Sequence, residues 1–293
     1  MRKMTGVMMS LALAAACVSG TALTAAAEDF DASTEISVFS REDGSGTRGA
    51  FIELFGIEQK DADGNKVDMT TEEAAITNST SVMMTSVAND EYAIGYISLG
   101  SLNDTVKAVA VDGAVPSVDT VKDGSYKVVR PFNIVVMEDT LTPVDQDFIN
   151  FILSADGQAV VAENGYIALD AEDAFTSDLS EGKIVVGGSS SVSPVMEKLV
   201  EAYQAINTKA EIEIQTTDSS TGVSSAVDGT YNIGMASREL KDTETELGAT
   251  AVKIANDGIA VIVNNGNPIE EITSEQVLGI YTGEIYTWEE LEQ

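Results

Sequence analysis

The sequence predicts an α/β fold, on three observations. Short β-branched runs alternate along the chain with segments of helical periodicity, the pattern that pairs strands into a sheet and lays helices on it. Apolar residues make up 44% of the chain, as in folded proteins, so its acidity does not signal disorder. The 293 residues suffice for one large domain or two of ordinary size.

The elements follow in order. Strands are expected over residues 35–39, 93–98, 108–111, 127–129, 133–137, 183–186, 211–216 and 258–264, each a short run rich in β-branched residues. Helices are expected over residues 48–55, 79–88, 145–153, 194–206, 222–227 and 274–281. In the fourth of these, Val195, Leu199, Val200, Tyr203 and Ile206 form one apolar stripe at helical spacing. Pro194 suits its first helical position, with Ser193 as the cap. The polar stretch 60–69, with Asp61, Asp63, Asn65 and Glu72 nearby, reads as a solvated turn. A calcium loop would need Gly where Lys66 stands.

Sixteen basic residues face 48 acidic ones, a formal net charge of −32, and there is no His. Such a charge disfavours nucleic acid and anionic membranes as partners. The lack of His removes the commonest general base and metal ligand and excludes a Ser-His-Asp or Cys-His hydrolase. Cys17 is the single cysteine, so disulfide and zinc-finger chemistry are not expected.

The first 27 residues read as a signal peptide. Arg2 and Lys3 precede the apolar stretch 7–16, and Ala25-Ala26-Ala27 offers a cleavage site before Glu28. Leu13-Ala14-Ala15-Ala16-Cys17 loosely matches a lipobox, so Cys17 is a candidate lipid attachment site; the other reading is a small residue in the signal's apolar core. Either way the protein is expected to be secreted, at the cell surface or periplasmic.

Three Ser/Thr/Gly clusters stand where an extended run gives way to a helical one. They are Ser40-Arg41-Glu42-Asp43-Gly44-Ser45-Gly46-Thr47-Arg48, Gly187-Gly188-Ser189-Ser190-Ser191-Val192-Ser193-Pro194 and Thr216-Thr217-Asp218-Ser219-Ser220-Thr221-Gly222. A helix N-terminus has unpaired N–H groups and partial positive charge, which suits an anion. Hydroxyls add neutral donors, and Arg41 adds a charged fork. Each cluster alone would serve equally as a helix cap. No P-loop ending follows Gly44–Thr47, because the Gly-Lys-Ser/Thr step is missing.

Together the clusters resemble the phosphate-binding proteins that feed ATP-driven phosphate importers. Arg41–Thr47 resembles that family's Arg-x-Asp-Gly-Ser-Gly-Thr signature, and Gly187–Pro194 and Asp218–Gly222 resemble its two phosphate loops. Ile233-Gly234-Met235-Ala236-Ser237-Arg238, Ala93-Ile94-Gly95-Tyr96, Arg130-Pro131-Phe132, Gly165-Tyr166 and Ile280-Tyr281-Thr282-Gly283 extend the likeness over nearly all of residues 33–293.

The resemblance implies a two-lobed clamp of the periplasmic-binding-protein type. Arg41, Ser45, Gly46 and Thr47 would hold phosphate from one lobe. Ser190, Ser191, the N–H of Val192, Ser219 or Ser220, and Ser237 would hold it from the other. Asp43 would orient Arg41. Where some family members carry an Asp after the Ser, this chain has Arg238, which either adds positive charge at the cleft or pairs with Glu239 or Glu244.

The two halves stand in the reverse of the family's order. This implies a circular permutation, or a piece of a longer tandem chain. In the permuted arrangement, 131–256 form one continuous lobe, and 28–130 with 257–293 form the other, with crossings near Arg130 and Asn256. The expected function is capture of inorganic phosphate for an ABC permease by a monomer without a cofactor. Another oxyanion such as sulfate or molybdate, a phosphate sensor or surface protein, and a phosphate-ester enzyme are the competing readings.

Overall fold

The structure, a computed structural model, describes residues 30–292. The expected signal peptide, its cleavage site and Cys17 lie outside the described residues.

In chain order the first elements are β1 (Ser37–Arg41), α1 (Gly46–Leu54), β2 (Glu58–Lys60), β3 (Lys66–Asp68), β4 (Ala75–Thr77), α2 (Thr80–Ala88) and β5 (Ala93–Ser98). Then come β6 (Lys107–Ala108), β7 (Ala110–Val111), α3 (Val118–Lys122), β8 (Val129–Val136), α4 (Pro143–Leu153) and α5 (Ala155–Glu163). The remainder is β9 (Gly182–Ser189), α6 (Ser193–Ile206), β10 (Ala210–Thr217), α7 (Ser219–Val227), β11 (Ile233–Ala236), α8 (Asp242–Glu246), β12 (Thr250–Val263), β13 (Glu271–Ile272) and α9 (Ser274–Thr282).

Short polar residues start most of these helices by accepting a backbone N–H with the side chain. Ser45, Ser79, Thr142, Ser154, Asp218 and Thr273 do so for α1, α2, α4, α5, α7 and α9. Gly283, left-handed at φ 75°, ends α9. The start of α6 differs from expectation. Ser193 is already helical, and its hydroxyl donates back to the Ser189 carbonyl at 3.1 Å rather than capping.

The main sheet runs β10-β9-β11-β8-β12-β5-β1-β4, with β6 also on β12. The outer pairs β10–β9, β9–β11, β5–β1 and β1–β4 are parallel. The central pairs β11–β8, β8–β12 and β12–β5 are antiparallel. β12 changes partner along its length: Thr250–Gly258 pair with β8, and Ile259–Val263 pair with β5.

That change of partner separates two apolar cores. One is drawn from residues 132–255 and centres on Phe132, Phe148, Phe151, Ile184, Leu199 and Tyr203. The other is drawn from residues 36–128 and 259–288 and centres on Phe51, Tyr96, Val261, Ile280, Tyr281 and Trp288. The two ends of the described chain meet in this second core. Ile36 N–H donates to the Tyr286 carbonyl at 2.8 Å, the Trp288 indole donates to the Tyr92 carbonyl at 3.2 Å, and the Phe30 and Trp288 rings lie 6.2 Å apart.

Several elements depart from the sequence reading. The expected strands 127–129 and 133–137 are one strand, β8, which runs through Pro131. β12 is fourteen residues long, and its first half was not foreseen. The stretch 60–69 is the tip and far side of the β2–β3 hairpin, closed by Asp61, which accepts the N–H of Asp63 at 2.9 Å and of Asn65 at 2.8 Å. Among the described residues no helix is long and apolar enough to cross a membrane.

Backbones approach closely where α7 crosses β9 and β11. A Cβ on Gly222 would lie 2.8 Å from Gly188 Cα and 2.7 Å from the Met235 carbonyl oxygen, backbone that has no room to yield. Gly222→Ala is therefore expected to destabilise the fold by about 1–3 kcal/mol, the usual cost of overpacking. Denaturant unfolding would show it as a lowered midpoint. A native midpoint would contradict this packing.

Candidate anion-binding site

Four helix N-termini, those of α1, α2, α6 and α7, face one another across the seam between the two cores. Each follows a strand end or a turn, so Ser, Thr and Gly occupy the positions where unpaired N–H groups need short polar neighbours.

Arg41, the last residue of β1, is 2% exposed. Its Nε and Nη2 each donate to Glu42 at 2.7 Å, and Nη2 also reaches Ser190 Oγ at 3.1 Å. Its Nη1 is buried with no partner among the described residues. Tyr96 fixes the backbone beneath it. The phenol accepts the Arg41 N–H at 3.1 Å, pairs with Ser40 Oγ at 2.8 Å, and stacks on Phe51 at 3.8 Å. Burial pushes the Tyr96 phenol up to about 12, against the opposing pull of the Ser40 and Arg41 hydrogen bonds.

Hydroxyls line the seam in two chains, the first of which starts at Ser190 beside Arg41. In the first, Thr47 Oγ1 pairs with Ser191 Oγ at 2.8 Å, and Thr80 Oγ1 lies 3.3 Å from Ser191 Oγ and 3.4 Å from Ser190 Oγ. In the second, Ser189 Oγ donates to Ser237 Oγ at 3.0 Å, and Ser237 N–H donates to Ser219 Oγ at 3.1 Å. All of these side chains are buried. A Cβ on Gly46 would lie 2.3 Å from Ser219 Oγ and 2.8 Å from Ser237 Oγ, so only Gly permits this approach. Ser220 N–H donates across the seam to the Gly44 carbonyl at 3.1 Å.

The structure thus gathers Arg41, Gly46, Thr47, Ser190, Ser191, Ser219 and Ser237 at one place, with Ser45 beside them as the cap of α1. Three expectations need correction. Asp43 does not orient Arg41: its side chain is almost wholly exposed and pairs with Arg48 at 3.1 Å, while Glu42 grips Arg41. The cause is one backbone bond just beyond the end of β1. Glu42 N–H still bonds the Thr77 carbonyl at 3.0 Å, and Asp43 falls in the turn.

Val192 N–H does not face the seam but donates to the Ser189 carbonyl at 3.0 Å, closing the turn into α6. Ser220 Oγ turns to Arg238 Nη2 at 3.3 Å. Of the two readings of Arg238, the structure shows the pair: a fork on Glu244, with two bonds of 2.8 Å, matches its charge.

Residues that the sequence reading missed are Glu42, Thr80 and Ser189. Thr80 carried the same signal as the others, a Ser-Thr pair opening an expected helix. Glu42 carried none that separated it from Asp43.

Chemically, the seam offers one buried cation paired with one carboxylate, then neutral hydroxyl and helix-end donors. Among the described residues no group of three or more His, Cys, Asp or Glu is arranged to hold a metal. Two α/β cores sharing β8 and β12, with helix N-termini opposed across the seam, define the class of two-lobed solute-binding proteins.

The chain belongs to the PBP superfamily, whose domain matches residues 18–156 and 173–293. Among its relatives is phosphate-binding protein PstS 2 of Streptococcus agalactiae, 56% identical over 256 residues, which span 87% of each chain. The PstS 2 of Streptococcus pneumoniae is 45% identical over 96% of this chain and 98% of its own. The crystal structure of a phosphate ABC transporter phosphate-binding protein from Streptococcus pneumoniae superposes with a TM-score of 0.69 at 46% identity, covering 88% of this chain and 99% of that one.

Tyr96 makes the site sensitive to alkali. Its folded value lies above the ordinary 10.0, so its contribution to stability is complete below pH 10 and is lost as pH rises from 10 to about 12. Burial raises Tyr126, Tyr166, Tyr203 and Tyr281 as well. Denaturant midpoints are expected to fall above pH 10, with most tyrosinate absorbance appearing only on unfolding. Ionisation of every tyrosine near pH 10 in the folded protein would contradict the burial of these phenols.

Proposed function

We propose that this protein captures inorganic phosphate outside the cytoplasmic membrane and delivers it to an ABC permease. The observation that carries the reading is Arg41 Nη1, a buried cationic donor among four helix N-termini that has no partner among the described residues. A tetrahedral oxyanion would pair with it and with the surrounding hydroxyls, each donor meeting a different oxygen. The S. agalactiae and S. pneumoniae relatives, named for phosphate binding, support the choice of anion. A site of donors without a nucleophile–base pair suits reversible binding, so we read the protein as a monomeric carrier and not as an enzyme.

We read the two cores as two lobes, 131–256 and 28–130 with 257–293, crossing near Arg130 and Asn256. The meeting of the chain ends in one core supports a circular permutation, since joining adjacent ends requires no rearrangement. Export belongs to the same reading, with Cys17 as a candidate lipid site and Ala27 as the alternative point of cleavage.

One observation favours a second anion class. The carboxylates around the seam are already engaged: Glu42 by Arg41, Glu244 by Arg238 and Asp218 by Thr221. With these carboxylates engaged, the site discriminates weakly against fully ionised oxyanions such as sulfate or molybdate.

Calorimetry decides between them. Phosphate is expected to bind, and Arg41→Ala to weaken it by about thirtyfold or more, since truncating a buried charged partner costs roughly 2–5 kcal/mol. Ser45→Ala is expected to cost less, because Ser45 acts through the α1 cap. Heat with sulfate or molybdate but none with phosphate would transfer the assignment. Unchanged affinity in both variants would reject the site.

A further inference from the structure

We infer that Arg130 and Asp257 are a positioning pair which sets the relative orientation of the two cores and so holds the seam closed. The two residues stand opposite each other in register on β8 and β12. Two residues beyond Asp257, at Ile259, β12 leaves β8 and begins to pair with β5. The pair therefore sits at the crossing itself, where a small rotation of one core becomes a large displacement at the seam.

Its hydrogen bonds reach into both cores. Asp257 Oδ2 accepts from Arg130 Nε at 3.2 Å and Nη2 at 3.0 Å. Asp257 Oδ1 accepts from Ser98 Oγ at 2.9 Å, at the end of β5. The third guanidinium nitrogen, Arg130 Nη1, donates to the Ser237 carbonyl at 3.3 Å, just past β11. Ser98 belongs with the second core, and Ser237 is the residue whose N–H and hydroxyl meet Ser219 and Ser189 in the seam. A continuous polar path, Ser98–Asp257–Arg130–Ser237, thus joins one core to a binding residue of the other.

The surroundings make this path selective for one orientation. Asp257 is fully buried and Arg130 is 2% exposed, with the guanidinium over the Phe132 ring at 5.2 Å. Tyr166 packs so closely on Gly100 that a Cβ there would lie 2.2 Å from its ring, which leaves the crossing no slack. Rotation that parts Ser98 from Ser237 must break one link of the path and strand a buried polar group. A buried ion pair adds little net stability compared with apolar residues of similar size. What it adds here is a fixed fork geometry that only one arrangement of the cores satisfies.

The ligand named in this inference rests on the phosphate reading, but the bias toward closure is measurable without ligand. Two variants separate geometry from bulk stability. Arg130→Lys keeps a positive charge beside Asp257 but cannot span from Asp257 to the Ser237 carbonyl. Ser98→Ala removes one hydroxyl at the other end of the path and leaves the ion pair intact.

Full-length proteins, freed of bound phosphate and checked for native circular dichroism, would be compared by small-angle scattering and by calorimetry with inorganic phosphate. We expect both ligand-free variants to have a larger radius of gyration than the ligand-free native protein. We expect phosphate affinity to fall about tenfold or more in Arg130→Lys, in line with one lost hydrogen bond from a charged group, and by a smaller factor in Ser98→Ala. Native radii and native affinity in both variants would overturn the inference. If the native protein itself gives no heat with phosphate, the phosphate reading fails, and the ligand-free radii still decide the role of the pair.

Discussion

A guanidinium buried without enough acceptors is the constraint on which the site depends. Glu42 and Ser190 satisfy Nε and Nη2 of Arg41, and Nη1 is left without a partner among the described residues. Leaving a charged donor unmade in low dielectric is costly. The elements around Arg41 answer that constraint. Tyr96 and Ser40 fix the strand that carries it, and four helices bring short polar residues to the same place. Gly46 removes the side chain that would keep the two walls apart. In the proposed reading an anion completes the set, meeting Arg41 Nη1 and the partial positive charge of the helix ends together.

The sheet explains why such a seam exists. Parallel pairs at both ends of the sheet place helix N-termini beyond the strand ends, and the antiparallel β8 and β12 join the two groups back to back. Because β12 serves both cores, the chain crosses between them only along this pair. Control of the seam is therefore concentrated in the few residues at the crossing, among which Arg130 and Asp257 are the charged ones bonded to each other.

Much of this was legible in the sequence, and the illegible parts have physical causes. β5 and α6 were plain because apolar residues recur in them at the spacing of a strand or a helix. The seam residues of α1, α6 and α7 were visible because Ser, Thr and Gly cluster between an extended run and a helical one. The first half of β12 was hidden because Lys253, Asn256 and Asp257 interrupt its apolar pattern, and only pairing with β8 makes it a strand. Glu42 and Asp43 are equivalent in sequence as partners for Arg41. One further backbone bond, from Glu42 to Thr77, decides between them. Arg238 was open between cleft and surface until α8 brought Glu244 against it.

The acidity of the chain fits an anion site once distances are considered. The net charge of −32 resides mostly in solvated carboxylates, and screening over a Debye length of about 8 Å limits their reach. Within hydrogen-bond range the local donors dominate. Arsenate, a tetrahedral congener of phosphate that scatters anomalously, tests this most directly. A crystal of the protein grown with arsenate should show one arsenic peak in the seam, its oxygens within hydrogen-bond distance of Arg41 Nη1 and of the Thr47 and Ser191 hydroxyls. An empty seam, or arsenic bound only elsewhere, would contradict the account.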